Sequence, residues 1–154
     1  MLKWLLVATI GFAAPALAAS CAPPPGYDAF ALKVADLTNA LRKKKRRKAL
    51  HFSATLTEAA QEHACYMAAT GQMSHTGANG SQVQNRVEAV GYSWRFIAEN
   101  VAMGQPFPDS VVAAWRNSAG HRKNMLHKRA RDIGIGVAVR DGRPFWVMVL
   151  GNQG

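Results

Sequence analysis

Three side chains of this 154-residue chain could converge to do chemistry: His75, Glu99 and His121. Two imidazoles and a carboxylate can hold a divalent ion such as zinc with one position left open, or work as an acid and a base. They lie 24 and 22 positions apart, so no local spacing such as His-Glu-x-x-His joins them. Only a fold can bring them together. Each also has a bland alternative: capping a turn or helix end, or belonging to a buried polar network that fixes a sheet to its helices.

The elements that must position them can be read from pattern. His75 sits in a loop rich in turn formers, Ser74 to Ser81, and Glu99 in a run of strand formers from Tyr92 to Met103 (Trp94, Phe96, Ile97 and Val101). His121 lies just past a helix of about residues 110–117, begun by Asp109 or Ser110. Ser118 can cap a new helical turn there, and Gly120 lets the backbone bend. Ser118 also stands three residues before His121, but the cap is a simpler role than that of a nucleophile.

The rest of the chain supplies the frame. Phe30, Val34, Leu37 and Leu41 recur at helical spacing, with Asp28 near the start of that helix. A second helix reads from Thr57, a possible cap, to Thr70, with Leu56, Ala60, Ala64 and Met67 on its apolar side and Gly71 closing it. A third reads from Ser81 to Val90. Ile133–Val139 and Pro144–Leu150 flank Asp141-Gly142, the sign of a tight hairpin. Helices, a strand, a helix and a hairpin predict one α+β domain with an antiparallel sheet.

Charge and cysteines bound the setting. Lys3, an apolar run from Trp4 and the small-x-small Ala16-Leu17-Ala18 predict a cleaved export signal over residues 1–18, followed by a Pro-rich leader over 19–32. The formal net charge of +10 includes Lys3. Such a protein is drawn to polyanions, and export to a secreted or periplasmic location disfavours nucleic acid, leaving anionic lipid or an acidic envelope polymer. Arg42 to Lys48 is a run of seven cations, read either as a solvated face or as a foothold on such a surface. Cys21 and Cys65 predict a disulfide, worth about 4 kcal/mol in the chain-entropy picture. The alternative is a lipoprotein acylated at Cys21.

The ordered motifs Asn39-Ala-Leu-Arg42, Ser74-His75-Thr76-Gly77, Gly91-Tyr92, Ala98-Glu99-Asn100-Val101-Ala102, Trp115-x-x-Ser118-x-Gly120-His121-Arg122-x-Asn124-x-Leu126 and Ile133-Gly134-x-Gly136 resemble those of the CAP superfamily. This superfamily joins cysteine-rich secretory proteins, antigen 5 and pathogenesis-related 1, and its module is also called the SCP domain. The likeness is to a compact bacterial member and covers residues 33–150. It implies an α-β-α sandwich, with helices on both faces of an antiparallel sheet. It also implies a central cleft with two histidines and two acids that serves as a cation site in relatives. His75 and His121 match the histidines and Glu99 one acid. The second acid has no clear match: Glu88 falls on the third helix, and Asn79 stands where bacterial relatives often carry Asp. The cysteine-rich extension of animal members is absent from this sequence, so activities tied to it do not carry over.

Since one scaffold serves many functions, three readings follow. The first is an exported protein binding a lipid or envelope component through the His/Glu cleft or the basic run. The second is a metal-assisted hydrolase or protease, with His121 or Glu99 activating water. In the third, the polar cluster is purely structural.

Overall fold

A computed structural model describes residue 23 and residues 25–154. The export signal and residues 19–22 and 24 of the leader, Cys21 among them, lie outside the described residues. In chain order the elements are α1 (Tyr27–Lys44), β1 (His51–Phe52), α2 (Ala54–Thr70), a single 3-10 turn (Ala78–Gly80) and α3 (Val83–Ala89). There follow β2 (Trp94–Met103), α4 (Pro108–Asn117), α5 (Ala119–Met125), β3 (Asp132–Arg140) and β4 (Arg143–Gln153). The sheet order is β1-β3-β4-β2. β2 and β3 both pair antiparallel with β4, while the two residues of β1 run parallel to β3. The sheet is therefore antiparallel apart from that short edge.

Alternation along β3 and β4 gives the sheet two buried faces. Ile133, Ile135 and Val137 with Trp146, Met148 and Leu150 meet α1, α4 and α5. Val147, Val149, Phe145 and Ala138 meet α2 and α3. Helices on both sides make the expected α-β-α sandwich. The hairpin turn uses Asp141 and Gly142 at φ 50° and 73°, the pair of left-handed residues that a tight two-residue loop requires.

Helix α2 lies directly on β3 because β3 carries two glycines toward it. A Cβ at Gly134 would overlap the backbone of Leu56 and Thr57, and one at Gly136 the backbone of Ala60 and Gln61. Close approach lets the Gln61 side chain serve the strand edge. Its Nε2 donates to Val137 O and its Oε1 accepts from Val137 N, both at 2.9 Å.

Several local expectations are revised. Helix α2 starts three residues before Thr57, with Ser53 as its cap: Ser53 Oγ accepts from Leu56 N at 3.2 Å. Ser118 does stand at the start of α5, but its side chain makes no capping bond. Arg42 is not part of a solvated run. It is fully buried, and its guanidinium donates to Lys48 O at 2.8 Å, Met125 O at 2.8 Å and His127 O at 3.1 Å. Carbonyl oxygens replace a carboxylate as its partners, and they fasten the end of α1 to the segment after α5.

Adding a methyl group at the glycine contact should push α2 off the sheet. Overpacking costs about 1–3 kcal/mol, and a clash with backbone belongs at the upper end. Gly136→Ala should lower the unfolding free energy by that amount, seen as a lower urea midpoint with the slope unchanged. A variant as stable as the parent would show that α2 does not need this approach.

Candidate functional site

The expected residues arrive from three elements. His75 comes from the loop after α2, Glu99 from the middle of β2, and His121 from the first turn of α5. His75 Nδ1 and Glu99 Oε1 are 2.8 Å apart. The other carboxylate oxygen, Oε2, accepts from Arg86 NH2 at 2.6 Å. Side-chain exposures of 3% for Glu99, 6% for Arg86 and 55% for His75 set the direction of this relay. The ion pair is internal, and only the imidazole reaches solvent.

Each member is held by its surroundings. Arg86, on α3, also donates through NH1 to Ser81 O at 2.8 Å, and through both terminal nitrogens to His75 O at 3.3 Å. It thus fixes both the carboxylate and the loop backbone. His63, buried on α2, contacts Ser74 O through Nε2 at 2.7 Å. Gly77 leaves room for this cluster, since a Cβ there would crowd Ser81 Oγ, Arg86 NH1 and His63 Nδ1.

Two asparagines seat α5 against β2. Asn124 Nδ2 donates to Glu99 O at 3.3 Å and to Asn100 Oδ1 at 2.9 Å. Asn100 Nδ2 in turn donates to His121 O at 3.2 Å. Trp115 Nε1 donates to Val101 O at 3.1 Å, tying α4 to the same strand. His121 itself is half-buried.

Electrostatics separate the two imidazoles. The hydrogen bond to Glu99 raises the His75 pKa above the usual value; burial opposes it, and the charge of Glu99 outweighs that of Arg86 in the same direction as the bond. Burial lowers His121, and the charge of His75 lowers it further. His63 is lowered too, chiefly by burial. The site therefore combines one imidazole whose pKa is raised with a second, within its field, whose pKa is lowered.

Arg86 and His63 carry no motif that marks them from sequence. Arg86 did have one signal: it is the only Lys or Arg between Lys48 and Arg95, so a buried carboxylate in that region had one guanidinium to meet. Of the two positions considered for a second acid, Glu88 points elsewhere, its Oε1 accepting from Trp94 Nε1 at 2.9 Å. Asn79 lines a polar cavity of about 470 Å³ with Glu62, Ser81, Asn85 and Arg86. Among the described residues no three His, Cys, Asp or Glu side chains stand close enough together to hold a metal ion. His75 and Glu99 thus form a relay with Arg86, and His121 stands within the field of His75. Cys65 lies on α2, where its Sγ is 3.4 Å from Gln61 Nε2.

This arrangement on a three-layer α-β-α frame is of the SCP-domain class. The model of the cysteine-rich secretory protein family, CAP, matches residues 35–150, and the chain belongs to that family. It is 35% identical over 113 residues to the Bacillus subtilis protein YkwD, covering 73% of this chain and 44% of the relative. It is 29% identical over 105 residues to the Bacillus subtilis membrane protein YlbC, covering 68% of this chain and 30% of that one. The chain therefore spans less than half the length of these curated relatives. In fold it is similar to an extracellular SCP-domain protein of Bacillus anthracis (TM-score 0.77, 22% identity, 82% of this chain and 41% of the other). It is likewise similar to an outer surface protein of Borrelia burgdorferi (TM-score 0.73, 24% identity, 79% and 90%).

A raised pKa means that the folded state holds the His75 proton more tightly than the unfolded chain does. The resulting stability is complete below the ordinary imidazole value of about 6.5 and is lost as pH rises through the higher folded value. The melting-temperature advantage of wild type over His75→Gln should thus be largest near about pH 5 and shrink toward about pH 8. An advantage that grows with pH would contradict the relay.

Proposed function

We propose that this is an exported binding protein that takes an anionic headgroup, of a lipid or an envelope polymer, at the paired imidazoles. The observation that carries the reading is the relay: a half-exposed His75, locked from behind by Glu99 and Arg86, whose charge acts on a His121 with a lowered pKa. Such a pair offers a charged donor and a second ring nitrogen to an oxygen-rich ligand. Hydrolysis by Glu99 acting on water finds less support, because that carboxylate is buried and both its oxygens are engaged. The names of the fold relatives, extracellular in one case and outer-surface in another, support export. Among the described residues no helix is long and apolar enough to cross a membrane.

Titration of the mature protein with glycerol 1-phosphate, followed by imidazole nitrogen shifts, tests this. Both His75 and His121 resonances should move together, and His121→Ala should weaken binding about tenfold, the loss of one charge-assisted hydrogen bond. Unmoved imidazoles at saturation of any binding would end the reading.

A second reading, weak binding of a divalent cation, is favoured by the His75–Glu99 contact, because carboxylates commonly orient metal-binding histidines through the other ring nitrogen. His75 and His121 fit as donors and Glu99 as the orienting group, with no third protein donor. Affinity for zinc should fall as pH drops through the raised value of His75, above the ordinary imidazole value of about 6.5, because protons compete there. Equal calorimetric heats for wild type and His121→Ala would remove the metal from the account.

Export and a Cys21–Cys65 bridge belong to the same proposal. Intact mass of the secreted protein should start after Ala18 and rise only on reduction and alkylation. A diacylglycerol-sized gain at Cys21 would establish the lipoprotein instead.

A further inference from the structure

The cationic run contributes to a surface larger than itself. Of residues 43–48, five cations are exposed, and only Arg47 turns partly inward. A second stretch, 122–129, exposes four more: Arg122, Lys123, Lys128 and Arg129. The two stretches are distant in sequence but joined in space. Arg42 reaches Met125 O and His127 O, and Arg47 Nε donates to Leu126 O at 3.1 Å. No acid occurs in residues 37–57 or 110–131. Among the described residues none of the nine exposed cations forms an ion pair.

We propose that the two stretches form one cationic face that binds a linear phosphate-bearing polymer of the cell envelope. This site is separate from the imidazole pair and does not depend on it. His127 sits within the second stretch, where burial and then the charges of Arg129, Lys123 and the buried Arg42 lower its pKa. Part of the face is stiff. His127 stacks on Phe96 with ring centroids 4.0 Å apart, and Arg129 lies 5.5 Å above the same Phe96 ring while bonding to Arg95 O. Fixed cations lose less conformational freedom on meeting a polyanion than free ones do.

The chemistry favours a polymer over a bilayer. A polybasic surface holds a membrane firmly when a second, apolar anchor enters it. Among the described residues the exposed large apolar side chains are Leu32, Phe52, Met73, Trp94 and Phe107, and none lies within either stretch. A chain of phosphates needs no such anchor, since each neutralised phosphate releases counterions. Helix α5 carries Arg122 and Lys123 immediately after His121, so the face borders the imidazole pair.

The test uses the full mature chain and inorganic polyphosphate as the probe, with affinity measured across a salt series. Two variants divide the face: Lys43→Gln/Lys44→Gln/Lys45→Gln, and Lys123→Gln/Lys128→Gln. Each should weaken binding at least about fivefold near 0.1 M salt and reduce the slope of log affinity against log salt by about 1 to 3. Lys123→Arg/Lys128→Arg should retain wild-type binding, which separates charge from any packing effect. If Lys123→Gln/Lys128→Gln binds as wild type does, the composite face is refuted and the 43–48 run acts alone. Orthophosphate competing at equal phosphate concentration would replace the polymer face with a discrete anion pocket. Phosphatidylglycerol vesicles outcompeting polyphosphate would assign the face to a membrane and overturn the polymer.

Discussion

The ion pair of Arg86 with Glu99 is the interaction on which the site depends. Glu99 sits mid-strand with its side chain sealed from solvent, and a carboxylate placed there without a partner would be strongly disfavoured. Arg86 supplies the partner from α3, and the same guanidinium reaches back to the carbonyls of His75 and Ser81. One buried cation thereby sets the carboxylate, the loop and the height of His75. His75 then completes the carboxylate's second oxygen, and its own ring is oriented by that bond. The pair is not evidence of high stability in itself, since a well-packed apolar pair can do as well. Its value here is positional: it makes one loop conformation better than the others.

The frame that permits this is a strand thin enough for a helix to lie on it. Gly134 and Gly136 bring α2 close to β3, and α2 in turn carries His63 to the Ser74 carbonyl. On the other face Trp115 and the Asn100–Asn124 pair hold α4 and α5 to β2, so His121 is placed by backbone contacts. The two imidazoles thus come from opposite layers of the sandwich, and the charge of His75 acts on His121. The ligand class and the setting outside the cell are proposals built on this geometry, whereas membership of the CAP family is shown by the match over residues 35–150.

Much of this was legible in the sequence, for identifiable reasons. The Asp141-Gly142 turn and the alternation on either side of it predict the hairpin, because only particular residues accept that turn. His75, Glu99 and His121 could be singled out because the ordered motifs around them resemble the CAP pattern. The start of α2 was not legible: Thr57 and Ser53 are equally capable caps, and burial of Leu56 decides between them. Strand β1 has two residues and no periodicity; it exists because His51 N and Ser53 N bond to Arg131 O and Ile133 O. Arg42 was hidden by its neighbours, since six further cations mask the one whose partners are carbonyls 83 and 85 positions away.

The central claim is that Arg86 and Glu99 act as a single buried unit. A double-mutant cycle with Arg86→Met and Glu99→Gln, read by denaturant unfolding, measures that directly. Each single change should cost about 3–5 kcal/mol by leaving the other group buried and unpaired. The double variant should cost much less than their sum, with a coupling of at least about 2 kcal/mol. Additive losses would mean that the two side chains stabilise the fold independently, and the relay to His75 would lose its foundation.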